Sequence, residues 1–348
     1  MRRGKKTVHL LVYVDDIAFF HNDQSMMDDI YIKLTDKYTF SSRGKLEWDI
    51  GIRIEHSEEG ITISQTDYID ELIKRFGMQL RKSGHIHTPG LVGNAKRLNA
   101  SMSPQSDTER EEASKYPYAE ALGALQWLVG ATRPDIGQAV NMACRYLSNP
   151  GKQHWEAVER ILLYLRNTRE EKFFFPHQSN GDLIVEAFSD ADYATCSDTR
   201  RSQSGAVIKI NGCTVFARSA LQKIVTLSPM ESEYVAAVEC AQQVVHIRRI
   251  VEDDLGHAQP GNTRIYCDND SAILLSERPI NHSRSKHIDV RWHWIREQTT
   301  RGILRLFPIG TKDQQADILT KSPSMETFNR LKQRILGTSS WSHPSPLR

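Results

Sequence analysis

The chain has 348 residues, enough for two or three domains, with 39% hydrophobic and 25% charged residues, as in ordinary soluble globular proteins. Its 45 Lys and Arg against 43 Asp and Glu give a formal net charge of +2, too small to establish a nucleic-acid partner, although basic residues cluster locally. No stretch approaches the roughly 20 apolar residues that cross a bilayer, which argues against a membrane-spanning protein.

The five cysteines are odd in number, widely spaced and without a CxxC motif. This pattern predicts reduced thiols in an intracellular protein of the cytoplasm or nucleus, and excludes a disulfide framework or a cysteine zinc site. The N-terminal apolar run is interrupted by His9 and by the Asp15-Asp16 pair, and no small-residue cleavage site follows, so we do not expect a signal peptide.

The first part of the chain predicts strands and helices in alternation. We expect a buried strand at Thr7–Val14, a turn at Asp15-Asp16 and a strand at Ile17–Phe20. A helix capped by Asp23 or Ser25 should follow and run through Tyr38. Next we expect a hairpin of Leu46–Glu55 with Ile61–Ser64, and a helix from Thr66 to Gly77. Residues 78–114, rich in Gly, Ser, Pro and charge, predict a linker or surface excursion. Residues 116–168 then predict three helices, interrupted at Pro134 and Pro150, with no chemistry of their own.

The last part predicts a five-stranded mixed sheet with helices against it, in an α/β (mixed α+β) fold. We expect strands at Leu183–Ser189, Ser204–Ile210, Cys213–Ser219, Arg264–Cys267 and Ile303–Phe307, and helices at Pro229–Leu255, after Asn269, across Ser285–Thr300 and from Asp313. Asn211-Gly212 is a strong hairpin signal, because both residues tolerate positive φ.

Acidic residues follow the strands of this predicted sheet. Asp190 and Asp192 come where the first strand leaves the core, and Asp268 follows a later strand. A right-handed crossover would make those strands parallel neighbours, with their ends side by side. On the long helix, the 100° wheel puts Glu233 at the rim of the apolar stripe and Glu231 further toward solvent, so Glu233 is the better candidate.

Asp317 falls one turn after Asp313, the predicted cap of the last helix. Four converging carboxylates, on Asp190, Glu233, Asp268 and Asp317, would repel one another unless cations lay between them, and oxygen ligands suit Mg²⁺ or Mn²⁺. Two such ions support phosphodiester cleavage, so the pattern suggests a metal-dependent nuclease. The alternative for each residue taken alone is an ordinary capping aspartate. His282, His287 and His293 have the spacing of exposed helix residues rather than of a metal site.

The motifs FSDADYA, LSPMESEYVAA, IYCDNDSAI, SRSKHIDVRWHWIRE and KDQQADILTK resemble the RNase H region of copia-type LTR retrotransposon Pol polyproteins. LLVYVDDI, GITISQTDYIDELIKRFGM and YAEALGALQWLVGATRPDIGQAV resemble the reverse transcriptase of the same polyproteins. The resemblance implies a partial reverse-transcriptase palm at 1–88, a linker at 89–115, a helical thumb or connection region at 116–178, an RNase H-like domain at 179–325 and a tail at 326–348.

The resemblance also implies functional residues. The RNase H metal ligands and catalytic carboxylates fall on Asp190, Glu233, Asp268 and Asp317, with Asp192 accessory. Asp15 and Asp16 match the palm aspartates that help to hold Mg²⁺ for nucleotide addition, where the alternative is an Asx turn. The implied partners are an RNA–DNA hybrid, a DNA/RNA template–primer and an upstream Pol segment.

Two departures from the family accompany this resemblance. The loop FPIGTKDQQAD lacks the histidine that many cellular RNases H place before the last aspartate. Asp49 stands where an apolar residue is usual near the primer-gripping turn, and the chain starts after the earlier palm aspartate, so we expect an incomplete polymerase site.

There are two alternatives to an RNase H fragment. The first is a non-catalytic remnant, which only binds nucleic acid or is inert. The second is an integrase-type nuclease, which is disfavoured because integrases carry their glutamate on a terminal helix.

Overall fold

A computed structural model of the chain describes residues 2–3 (backbone only), 6–81, 84–91, 97–177, 182–277 and 294–338. These residues form two compact units, 1–50 and 51–348. The domain boundaries suggested by the sequence remain predictions, and the two units are described separately.

The 1–50 unit contains an antiparallel sheet and one helix. Its elements are β1 (Arg2–Arg3), β2 (Lys6–Tyr13), β3 (Asp16–His21), α1 (Gln24–Thr35) and the short β4 (Trp48–Asp49). Asp23 caps α1 as predicted, because its carboxylate accepts a hydrogen bond from the Met26 N–H at 2.9 Å. The prediction that the first strand is buried is wrong: Val8 is buried, but Tyr13 at the far end of β2 is 61% exposed. Within this unit, α1 covers the other end of a small sheet.

The larger unit begins with an antiparallel sheet in which β5 (Ile52–His56) pairs with β6 (Gly60–Ser64), which confirms the predicted hairpin. The predicted strand Leu46–Glu55 is not continuous, because the backbone turns at Ile50 and Gly51, where φ is 39° and 80°. β6 also pairs with β7 (Phe173–Pro176), a strand that the sequence interpretation missed. Helix α2 (Thr66–Arg75) follows β6, and Gly77 after it has φ +68°, a conformation that favours glycine at the end of a helix.

The region predicted as a linker contains regular structure. A 3₁₀ turn (Ala100–Met102) and helix α3 (Asp107–Ala113) lie within it, because Ser106 accepts a hydrogen bond from the Glu109 N–H and caps the helix. The three predicted helices are present as α4 (Tyr118–Ala131), α5 (Gly137–Cys144) and α6 (Lys152–Asn167).

A buried ion pair fixes the junction between α4 and α5. Arg133 and Asp135 are 0% and 1% exposed and form a two-pronged contact at 2.8 and 2.9 Å. The Tyr164 hydroxyl donates to Asp135 at 2.6 Å, and Arg133 donates to the Thr168 carbonyl at 3.0 Å. Because every charge has a partner, this pair can remain buried and fix the helices relative to one another.

The five-stranded mixed sheet is present, which confirms the predicted fold class. Its strands are β8 (Val185–Asp192), β9 (Gln203–Ile210), β10 (Cys213–Leu221), β11 (Thr263–Cys267) and β12 (Leu304–Pro308), in the order β10-β9-β8-β11-β12. β9 is antiparallel to both β8 and β10, whereas β11 is parallel to both β8 and β12. Asn211 and Gly212, with φ of 51° and 81°, form the predicted two-residue turn.

Two hydrophobic clusters cover the two faces of this sheet. Val185 and Ala187 pack with α7 (Pro229–Arg249) on one face, and Phe188 packs with the helical region on the other. α7 continues as one π-helical turn (Ile250–Asp254) and is followed by α8 (Asp270–Glu277). Residues 294–300 form α9, and the predicted helix residues before them lie outside the described residues, together with His282, His287 and His293.

The prediction of one helix from Asp313 is wrong. Two 3₁₀ turns (Thr311–Asp313 and Gln315–Leu319) come first, and α10 (Met325–Ile335) starts later, capped by Ser324. Asp313 is not a cap; its carboxylate lies 2.8 Å from Arg334 Nη1 in an ion pair. Pro323 lies just before the cap of α10, a position from which proline does not interrupt the helix.

Candidate metal centre

Strand β8 positions Asp190. Phe188 stacks on Tyr266 of β11 with ring centroids 5.1 Å apart, which fixes the β8–β11 neighbourhood two residues before the carboxylate. Asp190 is paired with Gly205 of β9 and is 2% exposed. The aspartate therefore lies within β8, not after its end as the sequence suggested.

The first turns of α7 position Glu233. Ser228 caps the helix by accepting from the Glu231 N–H, and the Glu231 carboxylate accepts from the Leu227 N–H at 2.6 Å. Glu231 is thereby used in the cap, whereas Glu233 is 8% exposed and accepts a hydrogen bond from the Ala191 N–H. This confirms the helical-wheel geometry that separated the two glutamates.

Asp190, Glu233 and Asp268 converge at the edge of the sheet. One carboxylate oxygen from each residue lies within 4.8 Å of the other two. Asp268 directly follows β11, whose parallel pairing with β8 puts the two strand ends side by side, and it accepts a hydrogen bond from the Thr311 hydroxyl at 3.3 Å. We call these three residues the acidic triad.

Asp317 lies against the triad from a different element. It belongs to the 3₁₀ turn Gln315–Leu319, not to the first turn of a helix, and its carboxyl group is hydrogen-bonded to that of Asp190. Lys321 Nζ lies 2.8 Å from Asp317 Oδ1 in an ion pair. The Thr320 hydroxyl donates to Asp190 Oδ2 in a short hydrogen bond, so the turn and the residues just after it bring three side chains to the site.

Sequence reasoning did not identify Gly205, Thr320 or Lys321. A Cβ at Gly205 would lie 2.7 Å from the Ala316 carbonyl oxygen and 2.8 Å from Thr320 Cγ2, so only glycine lets the turn approach β9 so closely. The TK pair following Asp317 in KDQQADILTK was the available signal for Thr320 and Lys321, since residues three and four apart in a helical turn share a face.

Burial and mutual repulsion make these carboxyl groups hard to ionise. Burial, with the nearby charge of Asp317, raises the pKa of Asp190 to about 6. Burial and the charges of Asp190 and Asp268 raise the pKa of Glu233 to about 9. Burial also raises the pKa values of Asp268 and Asp317, although Lys321 opposes both shifts. For Lys321, burial alone would lower the pKa, but the neighbouring carboxylates raise it overall.

The donor set fits a hard divalent cation. Every inward-facing ligand is a carboxylate oxygen, and Glu233 Oε2 is buried without a hydrogen-bond partner among the described residues. A bound cation would supply the missing partner of that oxygen and offset the repulsion that raises the pKa values.

The remaining predicted residues lie apart from the triad's chemistry. Asp192 Oδ2 lies 3.4 Å from Arg97 Nη2 and takes no part in the triad. The turn predicted at Asp15-Asp16 lies one residue earlier, at Val14-Asp15, because Asp16 pairs with Tyr13 and begins β3. Within the described ranges, the triad is the single group of three or more such residues close enough to share an ion, so Asp15 and Asp16 gain no third ligand there.

All five cysteines lie in the described part of the chain, and none of them forms a disulfide there. Among the described residues, no helix combines the length and apolar character that a bilayer crossing needs.

Comparison with known proteins links the chain to mobile elements. Residues 1–89 match the family model for reverse transcriptase (RNA-dependent DNA polymerase). The chain is 36% identical over 328 residues to the Pol polyprotein of transposon TNT 1-94 from Nicotiana tabacum, covering 94% of this chain and 24% of that protein. It is 31% identical over 335 residues to the Pol polyprotein of transposon RE2 from Arabidopsis thaliana, covering 96% and 22%. The chain thus spans about a quarter of the length of these relatives.

Among solved structures, the chain is similar to LC11-RNase H1 in complex with RNA/DNA hybrid, with 14% identity, a TM-score of 0.31 and coverage of 40% of this chain and 95% of that chain. The strand order of the sheet defines the fold independently of that weak likeness. From the sequence relatives, which cover nearly its whole length, the chain belongs to the copia-type Pol polyproteins of LTR retrotransposons.

Proposed function

We propose that the chain is a reverse transcriptase/RNase H fragment whose RNase H-like part cleaves the RNA strand of RNA–DNA hybrids with Mg²⁺ or Mn²⁺. The observation that carries this proposal is the acidic triad, with three carboxylates within 4.8 Å and Asp317 hydrogen-bonded to one of them. Membership of the copia-type Pol family supports it, because reverse transcription leaves RNA paired with DNA.

Each residue has a distinct part in this proposal. Asp190 belongs to the triad and also contacts Asp317, so it is the carboxylate positioned to serve both sides of the site. Glu233 contributes a buried carboxylate oxygen without a hydrogen-bond partner in the described part of the chain, and Asp268 contributes a half-buried carboxylate. When bound, a pair of divalent ions activates water and stabilises the leaving oxygen in phosphodiester cleavage. Lys321 neutralises part of the carboxylate charge and holds Asp317 in place.

The proposal gives the polymerase residues a secondary place. Asp15 and Asp16 are proposed as part of a polymerase metal site that is incomplete within this chain, and the upstream Pol segment and a DNA/RNA template–primer are the proposed partners. Hybrid would be held mainly through phosphates and 2′-hydroxyls, so binding should depend on salt and little on sequence.

A cleavage assay tests the proposal directly. The full chain is incubated with an RNA–DNA hybrid labelled on the RNA strand, with Mg²⁺ or with EDTA. We expect internal cuts in the RNA only with the metal, and loss of at least about a hundred-fold in rate for Asp190→Asn, since even changes outside the ligand shell cost 10–100-fold.

Glu231→Gln is the matched control for Glu233→Gln. Both remove one carboxylate from the start of α7, but a glutamine at 231 can still accept from the Leu227 N–H and keep the cap. Equal rates for wild type, Asp190→Asn and Glu233→Gln would contradict the proposal. Hybrid binding without any metal-dependent cutting would instead favour a non-catalytic remnant.

A further inference from the structure

A groove of about 760 Å³ lies near the acidic triad, between the helical region and residues 320–322, which follow the 3₁₀ turn that carries Asp317. Its walls come from the segment before α3, from α5 and α6, and from the ends of β8 and β9. Its volume is in the range of ligand-binding clefts. Neither the motifs nor the proposed cleavage chemistry assigns it a role.

The groove is basic, and two of its cations form no ion pair with a carboxylate among the described residues. Four basic side chains line it, Arg97, Arg145, Arg160 and Lys321, against the two acids Glu156 and Asp192. Arg97 and Lys321 have ion-pair partners in Asp192 and Asp317. In the described part of the chain, Arg145 contacts the Gln203 side chain and the Cys196 thiol, and Arg160 contacts Gly90 and Thr88.

Arg145 is held in position without being neutralised. Arg145 is half-buried, and its guanidinium donates a hydrogen bond to the side-chain oxygen of Gln203. Its Nε is buried and has no hydrogen-bond partner among the described residues. Gln203 is itself 1% exposed and donates to Ser219 at 2.8 Å and to Asn141 at 3.1 Å. A guanidinium fixed in this way is ready to bind an anion with little further ordering.

Arg160 is held similarly from the other wall. Its Nε donates to the Gly90 carbonyl at 3.3 Å and its Nη2 donates to the Thr88 hydroxyl at 3.2 Å. Burial lowers the pKa values of both arginines, and at Arg145 the neighbouring Cys196 and Tyr146 offset only part of that shift. An anion in the groove would remove this cost.

The groove adjoins the acidic site through two shared neighbours. Thr320, which donates to Asp190, and Lys321, which pairs with Asp317, line both. Apolar side chains, including Leu98, Met142 and Ile161, line the same space, so sugar or base surface could pack beside the phosphates. An extended strand that enters the triad can therefore continue into the groove.

We infer that this groove is a phosphate-binding subsite for one strand of the nucleic acid, in which Arg145 and Arg160 hold the backbone of the nucleotides adjoining the scissile phosphate. The inference rests on the proposed function, since it deepens how the hybrid is held. Arg145 and Arg160 are positioning residues here: they fix the strand, and the triad carries out the chemistry.

The test measures binding separately from cleavage. A fluorescent RNA–DNA hybrid is titrated with the full chain in EDTA, where metal-dependent cutting is blocked, at several salt concentrations. For Arg160→Ala and Arg145→Gln we expect Kd to rise about ten-fold each, and the slope of log Kd against log salt to fall by about 1 for each phosphate that the variant no longer neutralises. Arg160→Lys should recover part of the affinity, because it keeps the charge but not the fork of donors.

Arg110→Ala is the matched control, because Arg110 is an exposed arginine of α3 outside the groove, and its loss changes the net charge equally. Melting curves confirm that each variant is folded. A normal Kd and salt slope in both folded groove variants would overturn the inference, even if Asp190→Asn abolishes cleavage as the proposed function requires. Weakened hybrid binding in the groove variants would support it even if no cleavage were detected. Binding of a nucleoside monophosphate that is lost in Arg145→Gln, with hybrid binding unchanged, would identify a small-molecule pocket and also overturn it.

Discussion

Two stretches of this chain share one pattern, an apolar strand that runs into a pair of acids. Asp15 and Asp16 follow β2, whereas Asp190 and Asp192 are among the last residues of β8. Around the first pair, the strand end is open, with Tyr13 61% exposed and Val14 82% exposed. Asp190, in contrast, is 2% exposed and is joined by carboxylates from three other elements.

The difference between them comes from the layers around each strand. β8 is the central strand of five, with a hydrophobic cluster on each face, and its neighbours bring Glu233 and Asp268 to its end. The β2–β3 hairpin belongs to a 50-residue unit in which α1 contacts the sheet. Burial and mutual repulsion raise the pKa values of the carboxyl groups in the larger unit, so a similar local pattern has a different electrostatic consequence there.

Titrating the metal-free protein should sharpen this comparison most. The pKa of Glu233 is raised from 4.5 to about 9, so between these pH values the folded state keeps a proton that the unfolded state loses. The contribution of Glu233 to the free energy of unfolding should be fully present below about pH 4.5. It should be lost as the pH rises through 9, which lowers the free energy of unfolding by roughly a few kcal/mol. Chemical denaturation in EDTA measures this loss, and Glu233→Gln should flatten it whereas Asp15→Asn should not. An unchanged pH profile in Glu233→Gln would contradict the buried cluster.

Adding metal should reverse that loss. At a Mg²⁺ concentration one hundred times its Kd, binding to the folded state alone stabilises by about 2.7 kcal/mol. We expect a rise in melting temperature for wild type and for Asp15→Asn, and little or none for Asp190→Asn. If Asp15→Asn removed the shift instead, the exposed pair would be the principal metal site and the comparison would be reversed.

The close packing at Gly205 should matter less than the ligands themselves. Gly205→Ala places a methyl group 2.7 Å from the Ala316 carbonyl, which would push the Asp317 turn off β9 at a cost of about 1–3 kcal/mol. We expect hybrid cleavage to fall about ten-fold while Mg²⁺ still binds the triad, since outer contacts commonly cost 10–100-fold. Gly130→Ala, where nothing lies within 4 Å of the added Cβ, is the control. Equal activity of the two variants would show that the turn tolerates displacement.

The two hairpin turns should give the smallest effects. Val14 has φ 51°, a conformation that costs a β-branched residue roughly 1–2 kcal/mol. Val14→Gly should therefore stabilise the β2–β3 hairpin by about 1 kcal/mol, seen as slower amide hydrogen exchange at residues 6–21. Gly212 has φ 81° in the Asn211-Gly212 turn, so Gly212→Ala should destabilise that hairpin. We expect faster amide hydrogen exchange at residues 204–219. Faster exchange in Val14→Gly would contradict a strained turn.

Local patterns predicted much of the fold. The apolar stripe of α7 separated Glu233 from Glu231, because helical periodicity is set by backbone geometry alone. Asn211-Gly212 placed the hairpin, and the order of strands and helices predicted the mixed sheet.

Several elements were not predictable in this way. β7 was missed, because FFFP lacks alternation and becomes a strand by pairing with β6, far earlier in the chain. Asp317 was assigned to a helix, whereas it lies in a 3₁₀ turn packed on Gly205.

By itself, the sequence predicted most of the element types, the family and the four acidic residues, since these depend on periodicity, turn chemistry and motif order. Only the tertiary structure decided that Asp190 is buried while Asp15 and Asp16 are exposed, and that Thr320, 130 residues away, donates to Asp190. It alone brought Arg145 and Arg160 to one groove beside the triad. The physical reason is that burial, repulsion and unpaired charge are properties of neighbours in space, and the neighbours of each of these residues lie far away in the chain.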